Sequence, residues 1–237
     1  MFFDPLYFIF VGPAMLAAMY ANSRVKSAFA RWHQVGNGRR LTGEQVALAL
    51  IKSSGLRAVT LTSAPPDNDH YDPRDRSLAL SPAVGNAASV AAMAVAAHEI
   101  GHALQDSEAF APLRMRTALV PVSNYGSQIG TYMLFGGMLL AGFGGGSLGL
   151  PVAWLGLGLF ALGSVVSLVT LPVEFDASRR ALAVLASSGL IANEEERAGV
   201  QAVLNAAALT YVAAAGAAIA TVAYYGFRLM RLYGRRE

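Results

Sequence analysis

The stretch that decides the fold lies near the middle of the chain and reads Ala96-Ala97-His98-Glu99-Ile100-Gly101-His102-Ala103-Leu104-Gln105. It ends an alanine-rich run, residues 87–106, that is typical of a helix. Residues four apart on a helix lie on one face, one turn apart. His98 and His102 would therefore present their imidazoles side by side, with Glu99 at the flank of the same face.

This spacing is the one that two ligands of a single metal ion require. On a helix, His-Glu-x-x-His is typical of zinc peptidases, in which the histidines bind zinc and the glutamate is the general base. The alternative is a pair of core histidines that merely neighbour each other. A catalytic zinc usually has three protein ligands and one open position, so the pattern requires a third ligand elsewhere in the chain.

The third ligand must be a histidine or a carboxylate, because the chain has no cysteine. The other histidines are His33, which we expect at the surface, and His70, which could support a ligand from outside. Glu174 is the best candidate, since it follows an apolar segment where a charge is costly unless it faces a polar or metal site. From spacing alone, an ordinary carboxylate at a helix start is equally consistent.

The composition indicates an integral membrane protein. Hydrophobic residues make up 54% of the chain and charged residues 14%, against about 25% charged in ordinary soluble domains. The net charge of +3 is small and its arginines flank apolar runs, so the bilayer is the expected partner and nucleic acid is not. Four apolar segments approach the length that spans a bilayer, namely residues 2–21, 128–146, 151–171 and 206–227.

The remaining residues would form a catalytic domain, a helical segment and a tail. Residues 22–124 predict a zincin-like α+β domain outside the membrane, residues 172–205 a helical segment with Glu174 near a start at Pro172, and residues 228–237 a basic tail. The fold class is thus mainly α, with about four membrane helices.

Within the catalytic domain, turn and cap signals predict three elements before the motif. A helix would begin after Thr42, which with Gln45 resembles a capping box, and would end before Gly55. Two strands, residues 56–62 and 77–81, would form a short β-hairpin, and Asn86 would cap the motif helix. We expect strand 77–81 to be an edge strand that pairs with an extended substrate.

The two apolar segments between the motif and Glu174 would form a membrane hairpin. Residues 144–149 are an uncharged turn, and Gly126, Gly130, Gly137 and Ala141 have the small-xxx-small spacing of closely packed membrane helices; a membrane helix in which these glycines have no special role is the alternative. Two crossings would place Glu174 on the same side as the histidines. Lysines and arginines near the segment ends predict that this side is cytoplasmic, although the arginines of the tail favour the opposite orientation.

Four stretches together resemble a known family, the bacterial membrane-bound neutral zinc metallopeptidases that are called YugP-like. They are His70-Tyr71-Asp72-Pro73-Arg74 with the Leu-Ser-Pro at 80–82, residues 97–105 with the motif, Pro172-Val173-Glu174-Phe175-Asp176-Ala177-Ser178-Arg179-Arg180-Ala181, and Asn205-Ala206-Ala207-Ala208-Leu209-Thr210-Tyr211-Val212.

The resemblance implies a metallopeptidase of the gluzincin type, a multi-pass protein of the bacterial inner membrane that cleaves peptides or proteins, membrane proteins among them. It implies one catalytic Zn2+ held by His98, His102 and Glu174, with Glu99 as base. Zinc peptidases that clear misfolded membrane proteins are a looser match. They have an aspartate four residues after the ligand glutamate, where this chain has Ser178 and its nearest acid is Asp176.

Several roles stay open at the level of sequence. Candidates for supporting the ligands or stabilising the transition state are His70, Asp176, Arg179, Arg180 and Tyr211. Two other functions compete with the peptidase. One is a membrane protein whose zinc is structural and closed by a fourth ligand, His70 or Asp176. The other is a zinc-dependent hydrolase of small molecules.

Overall fold

The computed structural model describes residues 4–143 and 146–234, most of which are helical. The elements in chain order are α1 Pro5–His33, α2 Gly43–Ser53, β1 Thr60–Ser63, β2 His70–Asp72, β3 Ser77–Leu80, α3 Pro82–Gly85, α4 Val90–Ser107, α5 Ala111–Gly142, α6 Gly146–Phe160, α7 Leu162–Ser187 and α8 Glu194–Tyr233. They divide into two compact units. The α+β unit consists of residues 21–114 and 172–210, and the apolar unit of the described parts of 1–20, 115–171 and 211–237.

Helix α2 begins and ends where its cap signals predict. The Thr42 hydroxyl accepts a hydrogen bond from the Gln45 backbone N–H at 3.2 Å, and the Gln45 side chain accepts one from the Thr42 backbone N–H at 3.0 Å. Gly55, which follows the helix, has a φ of +69°, a left-handed conformation that glycine adopts without steric cost. The capping box and the glycine stop are confirmed.

The sheet of the α+β unit contains a short antiparallel hairpin before α4, but β2 and β3 form it and the first predicted strand does not. It has the order β1-β3-β2, in which β1 runs parallel to β3 and β2 antiparallel to it. The prediction missed β2, whose three residues are too few to show a period-two pattern. Because β3 has a neighbour on both sides, the expectation that strand 77–81 is an edge strand is wrong; β1 lies at an edge instead.

Helix α4, which carries the motif, begins later than predicted. Ser89 is its N-cap and accepts a hydrogen bond from the Ala92 backbone N–H at 3.1 Å. Asn86 does not cap it; Asn86 ends the short helix α3, and its N–H donates to the Pro82 carbonyl. Pro82 explains the difference, since proline is favoured in a first helical turn and starts a separate helix there.

The core of the α+β unit surrounds α4. Helices α2 and α3 and strands β2 and β3 contact it, and its alanines allow this close approach from several sides. Fully buried side chains from four of these elements pack together, namely Leu50, Leu78, Val84, Met93 and Ile100. A helix that is apolar nearly all round is buried, and α4 is buried in protein.

Three stretches of the described chain are long and apolar enough to cross a membrane. They are α1, residues Ser147–Ser187 with α6 and most of α7, and α8. Three of the four predicted segments lie wholly or largely within these stretches. The fourth, residues 128–146, lies largely on α5, which is not among the helices that are long and apolar enough to cross. The predicted helix start at Pro172 is wrong, because α7 continues through it. Asn193 caps α8, because its side-chain oxygen accepts a hydrogen bond from the Glu196 backbone N–H at 2.9 Å.

Helices α5 and α6 of the apolar unit pack backbone against backbone. A Cβ atom added at Gly130 would overlap the Phe160 N, and one added at Gly137 would overlap the Ala153 N. This is the close packing that the small-xxx-small spacing predicts. The predicted turn at 144–149 is too long at its end, since α6 already begins at Gly146; residues 144 and 145 lie outside the described residues.

The backbone conformation of Ala109, just after α4, should lower the stability of the protein. Ala109 follows the helix with a φ of +59°, which costs roughly 1 kcal/mol for a residue with a Cβ. We expect Ala109→Gly to raise the midpoint of thermal unfolding in detergent, with a gain of about 0.5–1 kcal/mol. Ala94→Gly is the matched control inside α4, where glycine should lower the midpoint. A lower midpoint for Ala109→Gly would contradict the strain.

Candidate metal centre

Helices α4 and α7 bring three potential ligands of the α+β unit together. The atom His98 Nε2 lies 3.1 Å from Glu174 Oε2, and His102 Nε2 lies 3.5 Å from the same oxygen. One donor atom from each residue falls within 4.8 Å of the other two. The structure thus assembles His98, His102 and Glu174, which the sequence analysis selected, although 72 residues separate His102 from Glu174 (174 − 102 = 72).

The spacing of these donor atoms fits a tetrahedral zinc ion. Zinc bonds of about 2.1 Å at tetrahedral angles place neighbouring ligand atoms about 3.4 Å apart. The two measured separations, 3.1 and 3.5 Å, lie on either side of that value. Imidazole and carboxylate are also the donors that zinc accepts in sites without cysteine. The residues present therefore fit the ion.

The other ring nitrogen of each histidine is held by a neighbouring side chain. His102 Nδ1 lies 3.0 Å from the Gln105 amide oxygen, and His98 Nδ1 lies 3.3 Å from the Ser178 hydroxyl. In zinc sites such contacts fix the orientation of the ring and leave the remaining nitrogen to the metal. Both imidazoles here turn Nε2 towards Glu174.

The close approach of α4 and α7 depends on Gly101. A Cβ atom added to this residue would overlap the backbone carbonyl oxygen of Ala177 on α7. Gly101 lies between the two histidines in sequence, and Ala177 lies three residues after Glu174. The glycine therefore lets the two helices meet backbone to backbone where the three ligands converge.

The site is buried and rich in negative charge. Glu174 is 1% exposed, Glu99 7% and His102 9%. Burial by itself lowers the pKa of His102, but the hydrogen bond with Glu174 and the charges of Glu99 and Glu174 outweigh burial and raise the pKa above its ordinary value. Two buried carboxylates beside two imidazoles are an environment that favours a bound cation.

Glu99 sits at this site with its carboxylate unengaged by protein donors. Among the residues that the structure describes, none donates a hydrogen bond to it. It follows His98 on α4 and contributes to the electrostatic field at His102. A carboxylate with free lone pairs beside a metal centre is what a general base requires.

The two other histidines lie outside the three-residue cluster, and His33 is exposed as expected. His70 is on β2, where its ring contacts the Asn68 carbonyl at 2.9 Å. His33 stacks on Phe29 and lies 3.4 Å from the Ser89 hydroxyl. Neither belongs to the group of potential ligands found in the described chain.

The remaining candidates have different surroundings. The Asp176 carboxylate accepts hydrogen bonds from Gln105, Arg179 and Arg180, so it supports the site from outside. The guanidinium of Arg180 also pairs with Glu108 at 2.7 Å. Tyr211 lies on α8, at the point where this helix enters the apolar unit. Its role stays a prediction.

Sequence reasoning missed Gln105 altogether and noted Ser178 only as a departure from an aspartate. A signal for both was present, because Gln105 lies three residues after His102 and Ser178 four residues after Glu174. Those spacings place each side chain one turn from a ligand on the same helix face. Polar residues at these offsets from candidate ligands on a buried helix are therefore candidates for hydrogen bonds that support the ligands.

Fold and site together define a class: a mainly helical protein with candidate membrane spans, in which a His-Glu-x-x-His helix meets a glutamate from a distant helix. Residues 7–230 match the family described as "Putative neutral zinc metallopeptidase", and the chain belongs to that family. It is 42% identical over 218 residues to the "Putative membrane protease YugP" of Bacillus subtilis (strain 168), covering 89% of this chain and 91% of that protein. No solved structure matches the chain.

The contact at Gly101 yields a second prediction. Gly101→Ala forces its methyl group against the Ala177 backbone, which should cost about 1–3 kcal/mol of unfolding free energy and move Glu174 away from the histidines. We expect a lower unfolding midpoint and reduced zinc per chain, measured by metal analysis. Gly216→Ala on α8, where the added carbon meets open space, is the control. Wild-type zinc content in Gly101→Ala would argue against the requirement for close contact.

Proposed function

We propose that this chain is a zinc-dependent endopeptidase of the bacterial membrane, in which His98, His102 and Glu174 hold one zinc ion and Glu99 moves the proton. The observation that carries the proposal is the convergence of these three side chains beside an unengaged, buried Glu99. Membership of the zinc metallopeptidase family supports the same reaction class.

The three ligands would leave one position for the reactants. A zinc ion held there supplies Lewis acidity, which polarises a scissile carbonyl and lowers the pKa of water. Two neutral imidazoles and one carboxylate are a ligand set of known zinc peptidases. Glu174, which is 1% exposed, carries the negative charge of this set.

Glu99 would act as the proton carrier. Its carboxylate oxygen takes a proton from the attacking water and then delivers it to the nitrogen of the leaving amine. Glu99 is 7% exposed, and since no buried side-chain oxygen of the described residues lacks a partner, its carboxylate oxygens are accessible to a water molecule. Among the candidates for the oxyanion donor, Arg179 and Arg180 are engaged by Asp176, and the His70 ring contacts the Asn68 carbonyl.

We further propose that α5 is a fourth membrane crossing. It is 32 residues long, and its large apolar side chains are exposed, with Ile129 at 53%, Phe135 at 47% and Leu139 at 62%. Such a surface is unfavourable in water and suits lipid. Two crossings, α5 and then α6 with the start of α7, separate the motif from Glu174. The positive residues of the α+β unit favour a cytoplasmic site.

The site geometry also bears on the alternatives. A structural zinc would need a fourth protein ligand, yet the group of potential ligands within residues 4–143 and 146–234 has three members. Asp176 is engaged by Gln105 and two arginines. A hydrolase of small molecules shares the same chemistry, so cleavage of casein by the purified protein, with and without a chelator, separates it from a peptidase.

Glu99→Gln tests the mechanism. The amide has the same shape but cannot accept a proton at neutral pH, so casein cleavage should fall by at least about 100-fold while zinc per chain stays at the wild-type level. Glu194→Gln, at an exposed residue in the first turn of α8, should leave cleavage unchanged. Full activity in Glu99→Gln would refute the proposed role.

Glu174→Ala tests the third ligand. Loss of the carboxylate leaves two imidazoles, and zinc content after dialysis should fall well below one ion per chain because affinity depends on ligand number. Glu44→Ala, at a glutamate in the first turn of α2, should retain zinc. Stoichiometric zinc in Glu174→Ala would remove Glu174 from the ligand set.

A further inference from the structure

We propose that Gln105 is a positioning residue that selects which nitrogen of His102 faces the metal. This inference rests on the proposed function, since it requires a metal at His98, His102 and Glu174. Gln105 is 0% exposed and lies one helical turn after His102, with which it shares a hydrogen bond.

The orientation of the Gln105 amide is fixed by two acceptors. Its nitrogen lies 2.8 Å from the Val173 backbone carbonyl and 3.0 Å from the Asp176 carboxylate. A carbonyl and a carboxylate only accept hydrogen bonds, so both must face the NH2 group, which has two hydrogens to give. The amide oxygen must then point to the remaining neighbour, His102 Nδ1, at 3.0 Å.

That orientation determines the tautomer of His102. The Gln105 oxygen only accepts, so Nδ1 must carry the hydrogen. In a neutral imidazole the other nitrogen, Nε2, then has the free lone pair, and Nε2 is the atom 3.5 Å from Glu174 Oε2. The acceptors on α7 thus fix the orientation of the Gln105 amide, and the amide in turn leaves the free lone pair of His102 on Nε2, which faces the metal position.

The acceptor side of this arrangement is itself anchored. Asp176, which is 6% exposed, pairs with Arg179 and Arg180, and Arg180 reaches Glu108 just after α4. The carboxylate therefore stays charged and in place, and water cannot replace Gln105 in its buried position. Helix α7 supplies a ligand through Glu174 and sets the tautomer of another ligand through Val173 and Asp176.

The contact between His98 and Ser178 does not determine the tautomer of His98. Its Nδ1 lies 3.3 Å from the Ser178 hydroxyl, and a hydroxyl can either donate or accept. Ser178 therefore orients the ring without choosing its tautomer. The two histidines should respond unequally to loss of their partners, and this inequality separates tautomer selection from simple packing.

The test is zinc affinity of the purified full-length chain, measured by competition with a chelator. Gln105→Met keeps the volume and removes the acceptor, so zinc affinity should fall about 10–100-fold, and the visible spectrum of the Co2+-loaded protein should change. Ser178→Ala should lose less than Gln105→Met. Tyr71→Phe removes a hydrogen bond from Tyr71 to Asp106 on α4; it should lower the unfolding midpoint but leave zinc affinity and the cobalt spectrum unchanged.

A second pair of variants keeps the test decisive if Gln105→Met does not fold. Gln105→Glu places a carboxylate against Asp176, and adding Asp176→Asn replaces that repulsion by an amide donor. The double variant should bind zinc at least tenfold more tightly than Gln105→Glu alone. Equal affinity of these two, or wild-type affinity and spectrum in Gln105→Met, overturns the role of Gln105 alone. A wild-type chain that binds no zinc overturns the proposed function and this inference with it.

Discussion

The backbone contact between α4 and α7 is the constraint on which the candidate site depends. Gly101 allows the Ala177 carbonyl to approach α4 closely, and this approach lets Glu174 reach both histidines from a separate helix. The same contact brings Val173 and Asp176 to Gln105. A larger side chain in place of Gly101 would disturb the ligands and their supporting hydrogen bonds together.

The buried polar groups around the site form one connected set of hydrogen bonds. It runs from His102 through Gln105 to Asp176 and ends at Arg180 and Glu108 near the surface. Buried polar networks are costly unless each member has a partner, and no buried side-chain nitrogen or oxygen of the described residues lacks one. Burial by itself raises the pKa of Glu174, but the hydrogen bonds with His98 and His102 outweigh burial and lower the pKa, so this carboxylate of the network stays charged.

The sequence predicted the local parts of this arrangement well and its distant contacts poorly. Helical periodicity was enough to pair His98 with His102, and cap chemistry located α2. Glu174 needed the resemblance to a family, because spacing alone does not report which helices touch. The strand β2 was too short to recognise. The helix start at Pro172 was wrong because an apolar helix can continue through a proline when neighbouring groups satisfy the freed backbone carbonyl. Gln105 was missed because an uncharged amide is not among the usual zinc ligands.

The separation of the ligands along the chain has a consequence for biosynthesis. The ribosome adds His98 and His102 before Glu174, which lies 72 positions after the second histidine (174 − 102 = 72). A nascent chain that ends anywhere in that interval holds two of the three proposed ligands. The complete proposed site therefore forms late in translation, after both apolar segments of the interval have been made, and an incomplete chain lacks its third ligand.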